Sequence, residues 1–451
     1  HLVANSFYIT LSNASMGLLG FLFWIVATRL YHTSQVGIAT TLVSAAIFIA
    51  SASQLGFNVS FVRFLPASEH RSDDIDTGLS LIFLCAILIG GIYMAVVPAT
   101  VPQLRFLYSN WPQAVAIVLY VAFGAVNVST DSVFIAFRQA QYNVLVDGLL
   151  QGTIRLVAPI ALVSLGAFGL MTAYGVASLA AIVASVFLMM WRYDYRPRFR
   201  IHRHALRTVL HFGVWSYLAE LCTMAPLLVL PLVVLHERDA SSAAYYYLAL
   251  AVAQLLFTAG MAVGQSVLAE GANQAASFQQ LGRRAAKLQL VIAGAAVILI
   301  LGAHRILEVF GRAYASHATL TLVVLLASAP AVGVRYGCVS LLRLRHELAS
   351  VMAANLCLVV VPTVIAVFTI HNGLVWAAIG WLIGNIVSVV IAVLALWRSL
   401  RRQPADAAGL SVAGSAQGGL EAVPGRLGGA GAVGEPEEVL VGRQGSPGVA
   451  G

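Results

Sequence analysis

The sequence predicts an all-α polytopic membrane protein of about twelve transmembrane helices, arranged as two six-helix lobes related by a pseudo-twofold axis along the membrane normal. Three observations lead there. Hydrophobic residues make up 60% of the 451, and Asp, Glu, Lys and Arg together only 10%, where soluble domains carry about 25% charged residues. A chain of this size could not cover a single soluble core with so little polar surface, and its mean hydropathy is +0.87. The apolar residues fall in twelve windows long enough to span a bilayer. A strongly basic segment then divides those windows six and six.

The first six windows cover residues 7–27, 36–57, 78–97, 113–136, 146–167 and 170–190. The second six cover 209–235, 243–264, 287–302, 318–342, 349–370 and 374–396. No alternating strand pattern appears, and lipid demands that every backbone polar group be satisfied within the segment, so each is read as a helix. Assigning the connecting loops alternately to two sides puts 19 basic residues on one side and 5 on the other. By the positive-inside rule the basic side is cytoplasmic, and both termini lie there. The net charge of +8 therefore reports topology and contact with anionic lipid; no nucleic-acid partner is expected. The chain opens on His1, and no cleavable signal peptide is expected.

The loops are short, which leaves no room for a nucleotide-binding or folded catalytic domain. The sole lysine, Lys287, stands in Arg284-Ala285-Ala286-Lys287, which is not a phosphate-binding loop. His346-Glu347 lacks the second histidine of a zinc-protease helix. Cys85, Cys222, Cys338 and Cys357 all sit in apolar runs without metal-ligand spacing and read as small core residues. No metal, cofactor or enzymatic activity is expected. Residues 403–451 hold 13 Gly and 4 Pro without periodicity and read as a disordered cytoplasmic tail.

The organisation that follows is an N-terminal six-helix lobe at 1–190, a basic cytoplasmic linker at 191–208, a C-terminal six-helix lobe at 209–402 and the tail at 403–451. The lobes echo each other weakly at an offset of about 205–207 residues. Phe7 aligns with Phe212, Ser34 with Ser241, Asn58-Val59-Ser60 with Gln265-Ser266-Val267, and Arg138 with Arg343. Six spans per lobe make both copies enter from the same side, the mark of a parallel repeat.

The opening of the chain resembles a known family. Gly17-Leu18-Leu19-Gly20-Phe21, Ala27-Thr28-Arg29-Leu30-Tyr31, Ser34-Gln35-Val36-Gly37, Leu55-Gly56-Phe57-Asn58 and Arg63-Phe64-Leu65-Pro66 look like the start of a bacterial polysaccharide (O-antigen type) flippase. Such flippases belong to the multidrug/oligosaccharidyl-lipid/polysaccharide exporter superfamily. The resemblance implies two lobes around a central cavity, and a substrate made of oligosaccharide on an undecaprenyl pyrophosphate carrier. It also implies a place in the bacterial cytoplasmic membrane.

Ionisable side chains at membrane depth are costly, so each is a candidate for function. Asn127 and Asp131 share a face of the fourth span. Asp147, Gln151 and Arg155 form a stripe in the fifth, which carries Arg155 roughly 12 Å inward from Asp147. Glu220 lies in the seventh span, and at the repeat offset it matches the region of Asn13 and Ser15 in the first. Arg335 lies in the tenth, about two turns inside Arg343. A lipid-linked pyrophosphate needs cationic partners, so Arg155 and Arg335 are the expected substrate ligands, with Asn13, Asn127 and Gln151 completing the set. Asp131 and Glu220 are the expected proton or cation sites. Buried pairs Asp131–Arg155 and Glu220–Arg335 that merely hold helices together are the plain structural alternative.

The expected function is translocation of lipid-linked oligosaccharide by alternating access, alongside membrane lipids and the polymerase and glycosyltransferases of surface-polysaccharide biosynthesis. A cation-coupled multidrug exporter of the same superfamily is the alternative. An integral-membrane glycosyltransferase or polymerase would show a long extracytoplasmic loop with clustered acids, and the sequence has none.

Overall fold

The structure, a computed structural model, describes residues 2–202, 214–272, 278–345 and 347–417. Every element among them is helical. Contacts divide the chain into two units, His1–Ser399 and Leu400–Gly451. In the second, residues 400–417 are helical, and residues 418–451 of the expected tail lie outside the described residues.

The first half holds α1 (Leu2–Leu30), α2 (Thr33–Ser53), the short α3 (Phe57–Phe64), α4 (Arg71–Thr100), α5 (Trp111–Ala136), α6 (Gln141–Ala161) and α7 (Gly166–Tyr193). The second holds α8 (Val214–Glu237), α9 (Ala240–Ala272), α10 (Phe278–Glu308), α11 (Arg312–Ala327), α12 (Ala329–Leu344), α13 (Leu348–Thr369) and α14 (Val375–Gln417). Among the described residues, eleven helical stretches are long and apolar enough to cross a membrane. They correspond to eleven of the twelve expected windows. Of the remaining window, 209–235, residues 209–213 lie outside the described residues and the rest falls on α8, which adds the shorter apolar run Leu221–Glu237 and carries Pro226 and Pro231 inside it. The tenth span is Arg312–Leu344, built from α11 and α12, which break at Ser328 with a proline in the first turn of α12.

Small residues decide where backbones meet. Gly380 and Gly384 of α14 seat on Pro362 of α13, and a Cβ at Gly384 would overlap the proline ring. That close approach is the usual device for packing helices in lipid, where dispersion replaces the hydrophobic drive. Gly384→Leu should therefore destabilise the protein by about 1–3 kcal/mol through overpacking. A thermal melt in detergent should fall for Gly384→Leu and hold for Gly17→Ala, since the space around Gly17 is open. Between the halves, Gly37 of α2 lies against Ala240 at the start of α9, where an added Cβ would overlap the Ala240 carbonyl. The Ser34-Gln35-Val36-Gly37 stretch thus needs glycine at its last position for packing.

Polar side chains inside the first half are spent on joining helices. Gln54 donates to Ala125 O at 2.7 Å and accepts from Ser129 Oγ at 2.7 Å, tying the end of α2 to α5. The basic linker is strapped down for its described length. Asp76 near the start of α4 is 3% exposed and accepts from Tyr195 OH at 2.5 Å and from Arg198 N at 3.0 Å. Burial first, and then the bond to Asp76, hold the Tyr195 phenol above its usual range. His202 N donates to Thr77 Oγ1 at 3.0 Å. An apolar groove of about 320 Å³ lies under this strap, walled by Leu79, Phe83, Val126, Val186 and Phe199.

At the other end Asp239 caps α9, accepting from Ser242 N at 2.8 Å and Ser242 Oγ at 2.7 Å. Desolvation pushes its carboxyl upward, but the Ser242 donors outweigh that and leave it below the usual carboxylate range. A depressed carboxyl stabilises the fold above that range, and the contribution is lost as pH falls through it. All four cysteines are free and half-buried, close to the role expected of them.

Candidate functional site

The polar residues of α5 and α6 converge inside the hairpin these helices form. Asn127 and Asp131 are four residues apart on α5, so both face α6. In α6, residues Val144–Gln151 leave α-helical geometry for a π-turn, with Gly152 N bonded to Asp147 O. Such a widened turn within an α-helix is characteristic of functional positions. It carries Asp147 and Gln151, each 1% exposed.

The carboxyl of Asp131 lies close enough to that of Asp147 for the two to interact electrostatically. Asn127 Nδ2 donates to Asp147 Oδ1 at 2.8 Å, and Asn143 Nδ2 donates to the Asp131 backbone carbonyl at 3.3 Å. Gln151 Nε2 donates to Ser178 Oγ of α7 at 3.3 Å. Buried oxygens without a hydrogen-bond partner remain here: Asn127 Oδ1, Asp131 Oδ1, Asn143 Oδ1, Asp147 Oδ2 and Gln151 Oε1. Two facing carboxyls out of water cannot both stay ionised without compensation. Such a pair either shares a proton or holds a cation among its oxygens. Asp131 lies five residues inside the end of α5, about one and a half turns deep. Helix α1 closes over the site, with Ser15 against Gly148 and Leu19 against Gly152.

Arg155 follows one turn after Gln151. Its guanidinium sits 4.1 Å from the centroid of the Tyr174 ring, and its Nε has no hydrogen-bond partner. Tyr247 of α9 lies within electrostatic range of both Arg155 and Tyr174 and packs edge-to-face on Trp24 at 5.1 Å. Arg155 is thus half-buried at the seam between the halves, beside Tyr174 of α7 and near Tyr247 of α9. Among the described residues no ion pair joins Asp131 to Arg155. The partner of Asp131 is Asp147.

Arg335 is 1% exposed. Its Nη1 donates to Asn355 Oδ1 of α13 at 3.2 Å, and its guanidinium lies 4.3 Å from the Tyr336 ring centroid. A cavity of about 50 Å³ beside it is lined by Thr223, Met261, Gln265, Tyr336 and Arg343. Asn13 is exposed on α1. The backbone of Glu220 lies in α8, but its side chain falls outside the described residues.

The structure therefore gathers Asn127, Asp131 and Gln151 into one site and adds Asp147, Asn143 and Ser178 to it. Arg155 stands at the seam and Arg335 within the second half, each with its own partners. The signal for Asp147 was present in the sequence: Asn127-x-x-x-Asp131 and Asn143-x-x-x-Asp147-x-x-x-Gln151 are four-residue polar stripes on consecutive, antiparallel spans.

Polar and cationic side chains are thus held between and within the two halves of a helical membrane protein. The chain belongs to the polysaccharide biosynthesis protein family, whose model matches residues 2–263. No curated protein matches it. Its fold is similar to that of a multidrug resistance MATE family transporter of the MOP superfamily in an inward-facing conformation, with 16% identity, a TM-score of 0.62, and 86% of this chain and 95% of that one covered. It is similar to the lipid II flippase MurJ in an inward closed conformation, with 12% identity, a TM-score of 0.66 and 87% of each chain covered. A MOP superfamily transporter from Pyrococcus furiosus shares 16% identity, with a TM-score of 0.57 over 88% of this chain and 94% of that one. At these identities the likeness is one of fold, the two lobes of six helices that MOP transporters share.

Proposed function

We propose that the protein is a flippase that carries oligosaccharide linked to an undecaprenyl-pyrophosphate-type lipid across the bacterial cytoplasmic membrane. Membership of the polysaccharide biosynthesis family supports the substrate class. The observation that carries the reading is Arg155 at the seam, with an open Nε beside the rings of Tyr174 and Tyr247. A guanidinium suits a diphosphate, and aromatic faces suit sugar rings. The oligosaccharide would occupy the space between the halves while the lipid tail remains in the bilayer. Rocking of one half against the other then exposes the head group on the opposite side. Glycosyltransferases supply this substrate and a polymerase consumes it outside; the protein itself makes and breaks no covalent bond. The 19-to-5 division of basic residues supports cytoplasmic termini. A pseudo-twofold axis relating the halves accords with the 205–207 offset of the sequence.

Within this reading Asp131 and Asp147 form the coupling site, and Arg155, Arg335, Asn127, Gln151 and Asn13 serve the substrate. The acidic pair also suits the second reading, a cation-coupled multidrug exporter. Arg155→Gln separates the two. Losing one charge-assisted bond, about 1.5–3 kcal/mol, should lower polysaccharide export roughly 10- to 100-fold in cells that depend on this protein. Protein levels in the membrane should be unchanged, and Arg155→Lys should recover part of the export. Export at the wild-type rate with loss of drug efflux would transfer the assignment to the multidrug reading.

A further inference from the structure

Helix α2 packs against α8 and α9 of the other half, and at one end of this seam α1 and α2 also meet the ends of α10 and α11. Arg29, in the last turn of α1, reaches across to the end of α10. Its Nη2 donates to Val309 O at 2.7 Å and to Glu308 O at 3.4 Å. Phe21 packs edge-to-face on Phe310 at 5.1 Å. Tyr245 packs edge-to-face on Tyr314 at 5.2 Å, and Gly37 lies against the carbonyl of Ala240. At the opposite end of the molecule Tyr217 OH donates to Ser51 O.

The last carbonyls of a helix have no partners inside it, and that end carries partial negative charge that favours a cation. Helix α10 receives this cation from the other half of the molecule. We propose that Arg29 is the latch of this seam: capping α10 in trans, it holds this end shut and lets go when the halves part. The distinction from plain packing is chemical. Gly37 and the Phe21–Phe310 pair contribute shape, which survives only in contact. The guanidinium and the α10 carbonyls are exposed, so water replaces their bonds when the seam opens. That makes the contact weak enough to break in every cycle. The inference rests on the reading that the two halves move against each other, and not on what is carried.

The test uses no substrate, so its failure is separable from failure of the flippase reading. Ala244 is fully buried at this end of the seam, facing Gly37. The full chain carrying Ala244→Cys, purified into lipid nanodiscs, is reacted with a water-soluble maleimide. The chain without the added cysteine gives the baseline for the four native ones. Arg29→Gln should raise the labelling rate at Ala244→Cys about three- to fivefold, the range one helix-end charge supports. Arg29→Lys, which keeps the charge, should raise it less. Ala354→Cys, equally buried within α13, should be unaffected by either change. Unchanged labelling at Ala244→Cys in Arg29→Gln would overturn the proposal. So would an equal rise at Ala354→Cys, which would mean that the fold as a whole had loosened.

Discussion

Asp147→Asn is expected to abolish accumulation driven by an imposed proton or cation gradient while sparing substrate exchange at equilibrium. In the native site Asp147 accepts from Asn127 and faces Asp131. An amide in its place keeps the size and removes one of the two carboxyls, so Asp131 no longer has a carboxyl with which to share a proton or cation. Asp131→Asn removes the other member and should give the same phenotype, because the two act as one unit. Coupling free energies of about 1–3 kcal/mol correspond to roughly 5- to 150-fold effects, and gradient-driven accumulation in proteoliposomes should fall within that range. Counterflow exchange, which draws nothing from the gradient, should persist near the native rate. Should either variant accumulate substrate normally with unchanged gradient dependence, the pair is a structural link between α5 and α6. Coupling would then have to be sought at Glu220.

The position of the pair gives coupling a physical route within the proposed function. Helix α1 touches the π-turn of α6 through Ser15 and Leu19. The same helix carries Phe21, Trp24 and Arg29 to the seam, where they meet Phe310, Tyr247 and the end of α10. Trp24 and Arg155 approach the same tyrosine. A change of charge at Asp131–Asp147 alters what the π-turn must accommodate, and α1 is the rigid element lying between that turn and the contacts joining the halves. This is a chain of packed groups, and its status as a coupling path rests on the exchange measurement above.

The span pattern was legible because lipid allows few solutions: apolar length, short loops and satisfied backbone dictate helices. The polar stripes were legible too, since a four-residue spacing puts Asn127 with Asp131, and Asp147 with Gln151, on one helical face. Hydropathy reports which residues lie at membrane depth but not how neighbouring helices rotate about their axes. That rotation decides whether Asp131 meets Arg155 or Asp147. It depends here on the π-turn at Val144–Gln151, a register change with no compositional signature. The seam contacts were hidden for a related reason. Arg29 and Val309 are 280 residues apart, and no local pattern links an arginine at one helix end to the carbonyls of another. Gly37 was visible as part of a family-like stretch, but its reason, the carbonyl of Ala240, belongs to the other half.

Arg335→Leu is expected to lower stability by about 1–3 kcal/mol, the cost of leaving the buried Asn355 carbonyl oxygen without its Arg335 donor. The side chain is 1% exposed and links α12 to α13 through Asn355 at 3.2 Å, while its guanidinium stacks on Tyr336. Leucine supplies neither the donor nor the planar face. Arg335→Lys keeps the charge but not the fork or the stacking and should fall between leucine and the native residue in a thermal melt. The substrate role proposed for Arg335 makes a separate demand. With Arg343 it would place positive charge around the adjacent cavity of about 50 Å³, and that charge should matter to a diphosphate even where the fold survives. The decisive variant is Arg335→Gln, which retains a donor for Asn355 and loses the charge. If it folds and reaches the membrane at native levels but loses export, Arg335 serves the substrate. If Gln restores both stability and export relative to leucine, the residue holds α12 on α13, and Arg155 alone carries the head-group assignment.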